Sequence, residues 1–252
     1  MPILTTAAGQ LFYAQRGASG PLLLCLHGAG GTHQHWGYQL RDLADSARVF
    51  TLDLPGHGRS ALPGRASIPA YGAAVLQFMD ACGLDRVALA GHSMGGAIAL
   101  WLALERPDRV SGLGLVGAGA RMRVATDILD GFARDLPATI RTIVALSYAA
   151  SAPPALRAKA EQSYALCDPA VYHGDFLACD GFDVRARLAE IRCPVELVCG
   201  AEDRMTPLKY GEALRDALAD ARLTLAPGAG HMLMIERPAA VTSALRVLVE
   251  RC

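Results

Sequence analysis

The sequence predicts an α/β protein: a mostly parallel central sheet with helices on both faces and one all-helical insertion. Three observations carry this expectation. Continuous apolar runs recur along the chain, beginning with Leu22–Leu26 after Pro21, and such runs are typical of strands covered on both sides. Segments of helical periodicity separate them, so strand and helix alternate. Between Arg121 and about Leu188 the strand-like runs stop, and Pro137, Pro153-Pro154 and Pro169 punctuate helical segments instead.

In chain order, Leu4–Thr6 and Gln10–Gln15 read as a hairpin turning near Ala8-Gly9, since small residues and glycine favour tight turns. Buried-type strands follow at Leu22–Leu26, Val49–Leu52, Arg86–Ala90, Val110–Val116, Val195–Cys199 and Arg222–Ala226. Helical patterns lie between or after them at His35–Ala44, Pro69–Cys82, Ser93–Glu105, Pro207–Ala219 and Pro238–Glu250. The expected organisation is a core of residues 1–120 and 189–252, with residues 121–188 a helical cap over the carboxyl edge of the sheet.

Composition narrows the function classes. Lys+Arg and Asp+Glu both number 24 in 252 residues, so no overall charge draws the chain to nucleic acid or an anionic membrane. The expected partner is a small, largely uncharged molecule, with the chain a monomer or homodimer. Seven cysteines without a CxxC pair suggest free thiols in a reducing, cytoplasmic setting rather than disulfides or zinc. The stretch MPILTTAAGQ shows no basic segment leading into an apolar one, so no secretory signal is visible. Val87–Leu104 has the length of a membrane span, but Gly91, Gly95 and Gly96 interrupt it and favour strand, turn and helix.

Gly91-His92-Ser93-Met94-Gly95 sits where a strand meets a helix. A serine there, flanked by glycines, forms a strained turn that exposes its hydroxyl above the sheet. The helix that follows sets partial positive charge, and the Met94 amide, where an oxyanion would form. The cluster His27-Gly28-Ala29-Gly30-Gly31 follows the third strand, where a second oxyanion donor is needed, and Ala29 is the candidate. It departs from a dinucleotide loop because His33 replaces the third glycine. Met122 does the same after Gly117-Ala118-Gly119, so no cofactor is expected. Asp203 and His231 lie just past later strands, completing the order serine, acid, histidine. Serine needs a base to take its proton, and the imidazole needs a carboxylate to fix its tautomer. Glu202 is the alternative acid. Trp36, His92, Tyr172, Phe176 and Met232, with Gly28, are candidates for lining the substrate pocket, Tyr172 and Phe176 either as acyl-pocket walls or as packing for the cap. His57 is expected to fix a loop, and no histidine–cysteine set has metal spacing.

Over nearly its whole length the chain resembles the α/β-hydrolase family, through HGAGG, DLPGHGRS, GHSMGG, ERPDRV, GAEDRMTP and GAGHMLMIERP in order. The resemblance implies the α/β-hydrolase fold with a helical lid, a triad of Ser93, Asp203 and His231, and an oxyanion hole from Ala29 and Met94. Ser93 departs from the aspartate nucleophile of the family's dehalogenases and epoxide hydrolases. Met232 departs from the tryptophan usual after the histidine in its carbon–carbon bond hydrolases, and His92 from the elbow usual in its cofactor-free haloperoxidases. What remains is similar to carboxylesterases, small lipases, carrier-methyl-ester esterases and enol-lactonases. The expected activity is cleavage of a small ester or lactone through an acyl-enzyme. A slow-turnover receptor, a carbon–carbon bond hydrolase and an acyltransferase are the rivals.

Overall fold

The computed structural model describes residues 3–252; Met1 and Pro2, which open the stretch read above for a secretory signal, lie outside the described residues. Eight strands form one sheet: β1 (Ile3–Thr6), β2 (Gly9–Arg16), β3 (Leu22–Leu26), β4 (Arg48–Leu52), β5 (Val87–His92), β6 (Val110–Val116), β7 (Val195–Gly200) and β8 (Ala221–Ala226). Their spatial order is β1-β2-β4-β3-β5-β6-β7-β8. Both pairings of β2 are antiparallel; β4, β3, β5, β6, β7 and β8 run parallel. The hairpin pairs Thr6 with Gly9, so it turns on Ala7-Ala8, one residue earlier than expected. Gly9 takes φ 112°, a value glycine tolerates best, and it therefore belongs at the strand's start rather than in the turn.

The helices are α1 (Gly37–Asp42), α2 (Ile68–Ala81), α3 (Met94–Glu105), α4 (Thr126–Arg134), α5 (Leu136–Ser147), α6 (Pro154–Ala165), α7 (Pro169–Asp180), α8 (Lys209–Ala217), α9 (Leu233–Glu236) and α10 (Pro238–Glu250). Successive residues of β3 serve opposite faces, as strand geometry requires. Leu24 and Leu26 pack with Phe78 of α2 and Ile98 of α3 in one core. Leu23 and Cys25 pack with Leu245 and Leu248 of α10 in the other. The continuous apolar runs are thus explained by two buried faces.

α4 to α7 are inserted between β6 and β7, and an antiparallel bridge between Arg121 and Asp183 closes the neck of the insertion. The patterned segment at His35–Ala44 divides into a 3-10 turn over His33–Trp36 and then α1. Pro238 can open a helix but not continue one, and a short α9 precedes it where no helix was expected. Among the described residues no helix is long and apolar enough to cross a membrane.

Candidate active site

β5 is buried along its whole length and ends against α3, with Ser93 between them. Ser93 holds φ 50° and ψ −115°, and among the described residues it alone has positive φ without being glycine. Such a conformation costs on the order of 1–3 kcal/mol and persists where the surroundings over-determine it. Here the Ser93 amide donates to the Val116 oxygen at 3.0 Å, and its carbonyl accepts from Gly96 at 2.8 Å and Ala97 at 3.1 Å. The turn is possible because Gly91 and Gly95 lack side chains: a Cβ on Gly91 would collide with the Gly95 backbone, and one on Gly95 with the Leu26 carbonyl. The Met94 side chain is sunk in the core, and its amide stands at the start of α3.

The loop after β3 is fixed by buried histidines. His27 accepts the Leu54 amide on Nε2 at 3.0 Å and donates from Nδ1 to the Gly28 oxygen at 2.8 Å. Burial, with the charge of His57 nearby, holds its pKa well below the ordinary value, so it serves as a neutral strut. Gly31 donates to the Gly28 oxygen and Gly30 to Asp175 Oδ2 at 2.8 Å. Among the described residues the amides of Ala29 and Met94 have no such partner; Ala29 lines the same cavity as Ser93, and Met94 follows Ser93 directly at the start of α3.

His231 Nδ1 donates to Asp203 Oδ2 at 2.8 Å. The same carboxylate accepts the amides of Met205 and Thr206 and the Thr206 hydroxyl, each at 2.8 Å. Burial alone would raise the Asp203 pKa, but the charge and hydrogen bond of His231, with the Thr206 bonds, outweigh it and lower the pKa. Glu202 instead accepts the Ala150 amide at 2.9 Å. The His231 amide donates to the Ser147 oxygen at 2.7 Å, at the end of α5. Glu236 accepts both the Ala149 and Gly230 amides, so the inserted helices hold the histidine loop directly. His92, kept neutral by burial and by the neighbouring His231, donates from Nε2 to the His231 oxygen at 3.0 Å. The bonds of His231 run to these groups and not to the Ser93 hydroxyl, as is common before a substrate tightens such a site.

Ser93 and His231 line one narrow cavity of about 70 Å³, with Ala29, His92 and Met232 also at its wall. Tyr172 and Phe176 of α7 reach it while being 1% and 5% exposed, so each both packs the insertion and walls the cavity. Tyr172 also seats against Gly30, where a Cβ would stand 2.5 Å from its ring. Gly28 and Trp36 do not line the cavity. Gly28 backs onto His92 and Ser93. Trp36 is wholly buried in the core beside Leu23 and Leu43, because the 3-10 turn rotates its ring inward. Sequence reasoning missed Tyr164, Ile143, Met205, Tyr210 and Arg123, which also line the cavity. Thr206 carried a signal in GAEDRMTP, a hydroxyl three residues past the acid; the others carried none.

A second buried assembly joins the insertion to the loop after β4. Asp175 of α7 accepts from Gly30, from Tyr71 Oη at 2.6 Å and from His57 Nε2 at 2.7 Å. His57 Nδ1 faces the Pro55 oxygen at 3.1 Å. An acceptor at each nitrogen favours the doubly protonated ring; burial opposes this, but the Asp175 charge outweighs it and raises the His57 pKa. Among the described residues no group of three or more His, Cys, Asp or Glu comes together as metal ligands.

A family model described as alpha/beta hydrolase fold matches residues 21–238. A pimeloyl-[acyl-carrier protein] methyl ester esterase of Aromatoleum aromaticum is 32% identical over 243 residues, covering 86% of this chain and 94% of that protein. A hydrolase from Pseudomonas aeruginosa PA01 superposes with a TM-score of 0.90 at 30% identity, covering 98% of this chain and 97% of that one. Est816, an N-acyl homoserine lactone degrading enzyme, superposes with a TM-score of 0.87 at 25% identity, over 98% and 99% of the two chains.

Proposed function

Because the chain belongs to the α/β-hydrolase family, we propose that it cleaves a carboxylic ester or lactone through an acyl-enzyme, with Ser93 as nucleophile. The observation that carries this reading is the strained Ser93 on one cavity with His231, whose imidazole is held by Asp203 at 2.8 Å. The Ser93 hydroxyl adds to the substrate carbonyl as His231 Nε2 takes its proton. Asp203 holds the tautomer and stabilises the imidazolium that forms. The developing oxyanion accepts from the Ala29 and Met94 amides, at the positive end of α3. Collapse expels the alcohol with the proton from His231, and water repeats the sequence to free the acid.

In this reading residues 121–188 are the cap and the remainder the core, with His92, Tyr172, Phe176 and Met232 at the substrate. The esterase relative supports an ester as substrate. Met232 and Ser93 argue against carbon–carbon and carbon–halogen chemistry. Seven free cysteines suit a reducing compartment such as the cytoplasm. The test is a ladder of p-nitrophenyl alkanoates: a burst of nitrophenol equal to the enzyme present, then steady turnover, is expected. Stoichiometric binding without turnover would instead make the chain a receptor.

A further inference from the structure

Beside the Ser93 cavity lies a groove of about 550 Å³ whose charged lining is entirely cationic: Arg121, Arg123, Arg185 and Lys209. They converge from three places, the stretch after β6, the turn before β7 and the start of α8. The two cavities share Arg123 and Tyr210 at their walls, so the groove is the continuation of the site. The Tyr210 ring is set by Gly119, where a Cβ would stand 2.6 Å from it.

The nearby carboxylates offset these cations only in part. Asp183 pairs with Arg185 at 2.7 Å and Arg121 at 3.6 Å. Asp180 accepts the Val124 amide at 2.9 Å and, among the described residues, makes no ion pair with any of the four. Among the described residues Arg123 and Lys209 have no ion pair, and Lys209 Nζ lies 5.8 Å from the centre of the Tyr210 ring. A zero net charge for the chain conceals this local excess, which concentrates anions at the mouth of the site.

We propose that the substrate carries a carboxylate, seated in this groove against Arg123 and Lys209 while its ester or lactone carbonyl lies at Ser93. The guanidinium fork suits a carboxylate in a bidentate manner, and a charge-assisted bond of that kind is among the stronger ones. The proposal rests on the ester-cleavage reading for the reacting carbonyl, but its binding part can be measured without turnover.

Ser93→Ala protein is titrated calorimetrically with monoethyl glutarate and with diethyl glutarate, at about 0.02 M and about 0.5 M salt. The monoester is expected to bind at least about ten-fold more tightly at low salt, the range for a hydrogen bond to a charged group, and to lose most of that advantage at high salt. Adding Arg123→Gln and Lys209→Gln removes the preference, whereas Arg123→Lys keeps part of it; circular dichroism checks that each variant is folded. With otherwise native protein, p-nitrophenyl hemiglutarate is expected to exceed p-nitrophenyl valerate in kcat/KM by a similar factor. Equal affinity for the two glutarates, no measurable binding of either, or a preference that survives both substitutions would overturn the anion site. Selective binding with no turnover of any ester would instead overturn the ester-cleavage reading and leave the anion site standing.

Discussion

Replacing Asp175 tests whether the inserted helices set the geometry around Ala29. Its carboxylate serves Gly30, Tyr71 and His57, and it is fully buried. Asp175→Ala leaves buried His57 without the carboxylate that raises its pKa, and breaking a buried pair costs about 3–5 kcal/mol. In a chain of this size each kcal/mol moves the melting temperature by about 2–4 °C, so a drop of roughly 6–20 °C is expected by scanning calorimetry. Asp175→Asn keeps the shape and one acceptor, so it is the variant for kinetics. Gly30 adjoins Ala29, and losing one well-placed oxyanion donor costs about 10²–10³ in kcat. A displaced loop should therefore lower kcat by up to about 100-fold with KM little changed.

The pH dependence has a definite sign. His57 has a raised pKa in the folded state. Its contribution is fully present below the unfolded value of about 6.5 and is lost as pH rises through the folded value. The gap in melting temperature between wild type and Asp175→Asn should be widest near pH 6 and narrow at alkaline pH. A gap that stays constant, or a kcat that is unchanged in the asparagine variant, would refute the coupling.

Ser93→Ala should abolish both the nitrophenol burst and labelling by a fluorophosphonate while leaving the melting temperature within a few degrees; label found on another serine would contradict it. Asp203→Asn should lower kcat by about three to four orders of magnitude. Glu202→Gln, at an exposed site off the imidazole, should change it by less than about two-fold, the scale of surface substitutions; the reverse order in steady-state assays would make Glu202 the acid. Phe176→Ala should lower stability by about 3–5 kcal/mol and also shift the chain-length profile toward bulkier acyl groups by roughly ten- to two-hundred-fold. A lowered melting temperature with an unchanged profile would assign Phe176 to packing alone.

The sheet and the three groups at its carboxyl edge were legible in the sequence because each depends on local pattern. Apolar runs mark doubly covered strands, and Ser93, Asp203 and His231 each follow one. The contacts of the inserted helices were not legible, because their partners lie far along the chain: Asp175 bonds Gly30 across 145 residues and His57 across 118. Tyr172 and Phe176 were expected either to wall the pocket or to pack the cap, and periodicity could not say that they do both while Asp175, between them, bonds the loops after β3 and β4. Trp36 was misjudged because proximity to the oxyanion loop does not fix which way a 3-10 turn points its ring. The cationic groove escaped notice because net charge averages over distance, whereas Arg121, Arg185 and Lys209 meet only in three dimensions.

The bond from the His231 amide to the Ser147 carbonyl, with Glu236 gripping Ala149 and Gly230, has an engineering consequence. Specificity in such scaffolds invites exchange of the whole inserted segment between relatives, as though it were an interchangeable module. Here the segment supplies part of the frame on which the His231 loop is mounted. A chimera that imports foreign helices between β6 and β7 would alter turnover as well as preference, unless it retains the backbone at 147–149 and the matching acid at Glu236. Redesign should therefore treat α5 and the histidine loop as one inherited unit, and confine sequence diversification to α4, none of whose residues is buried.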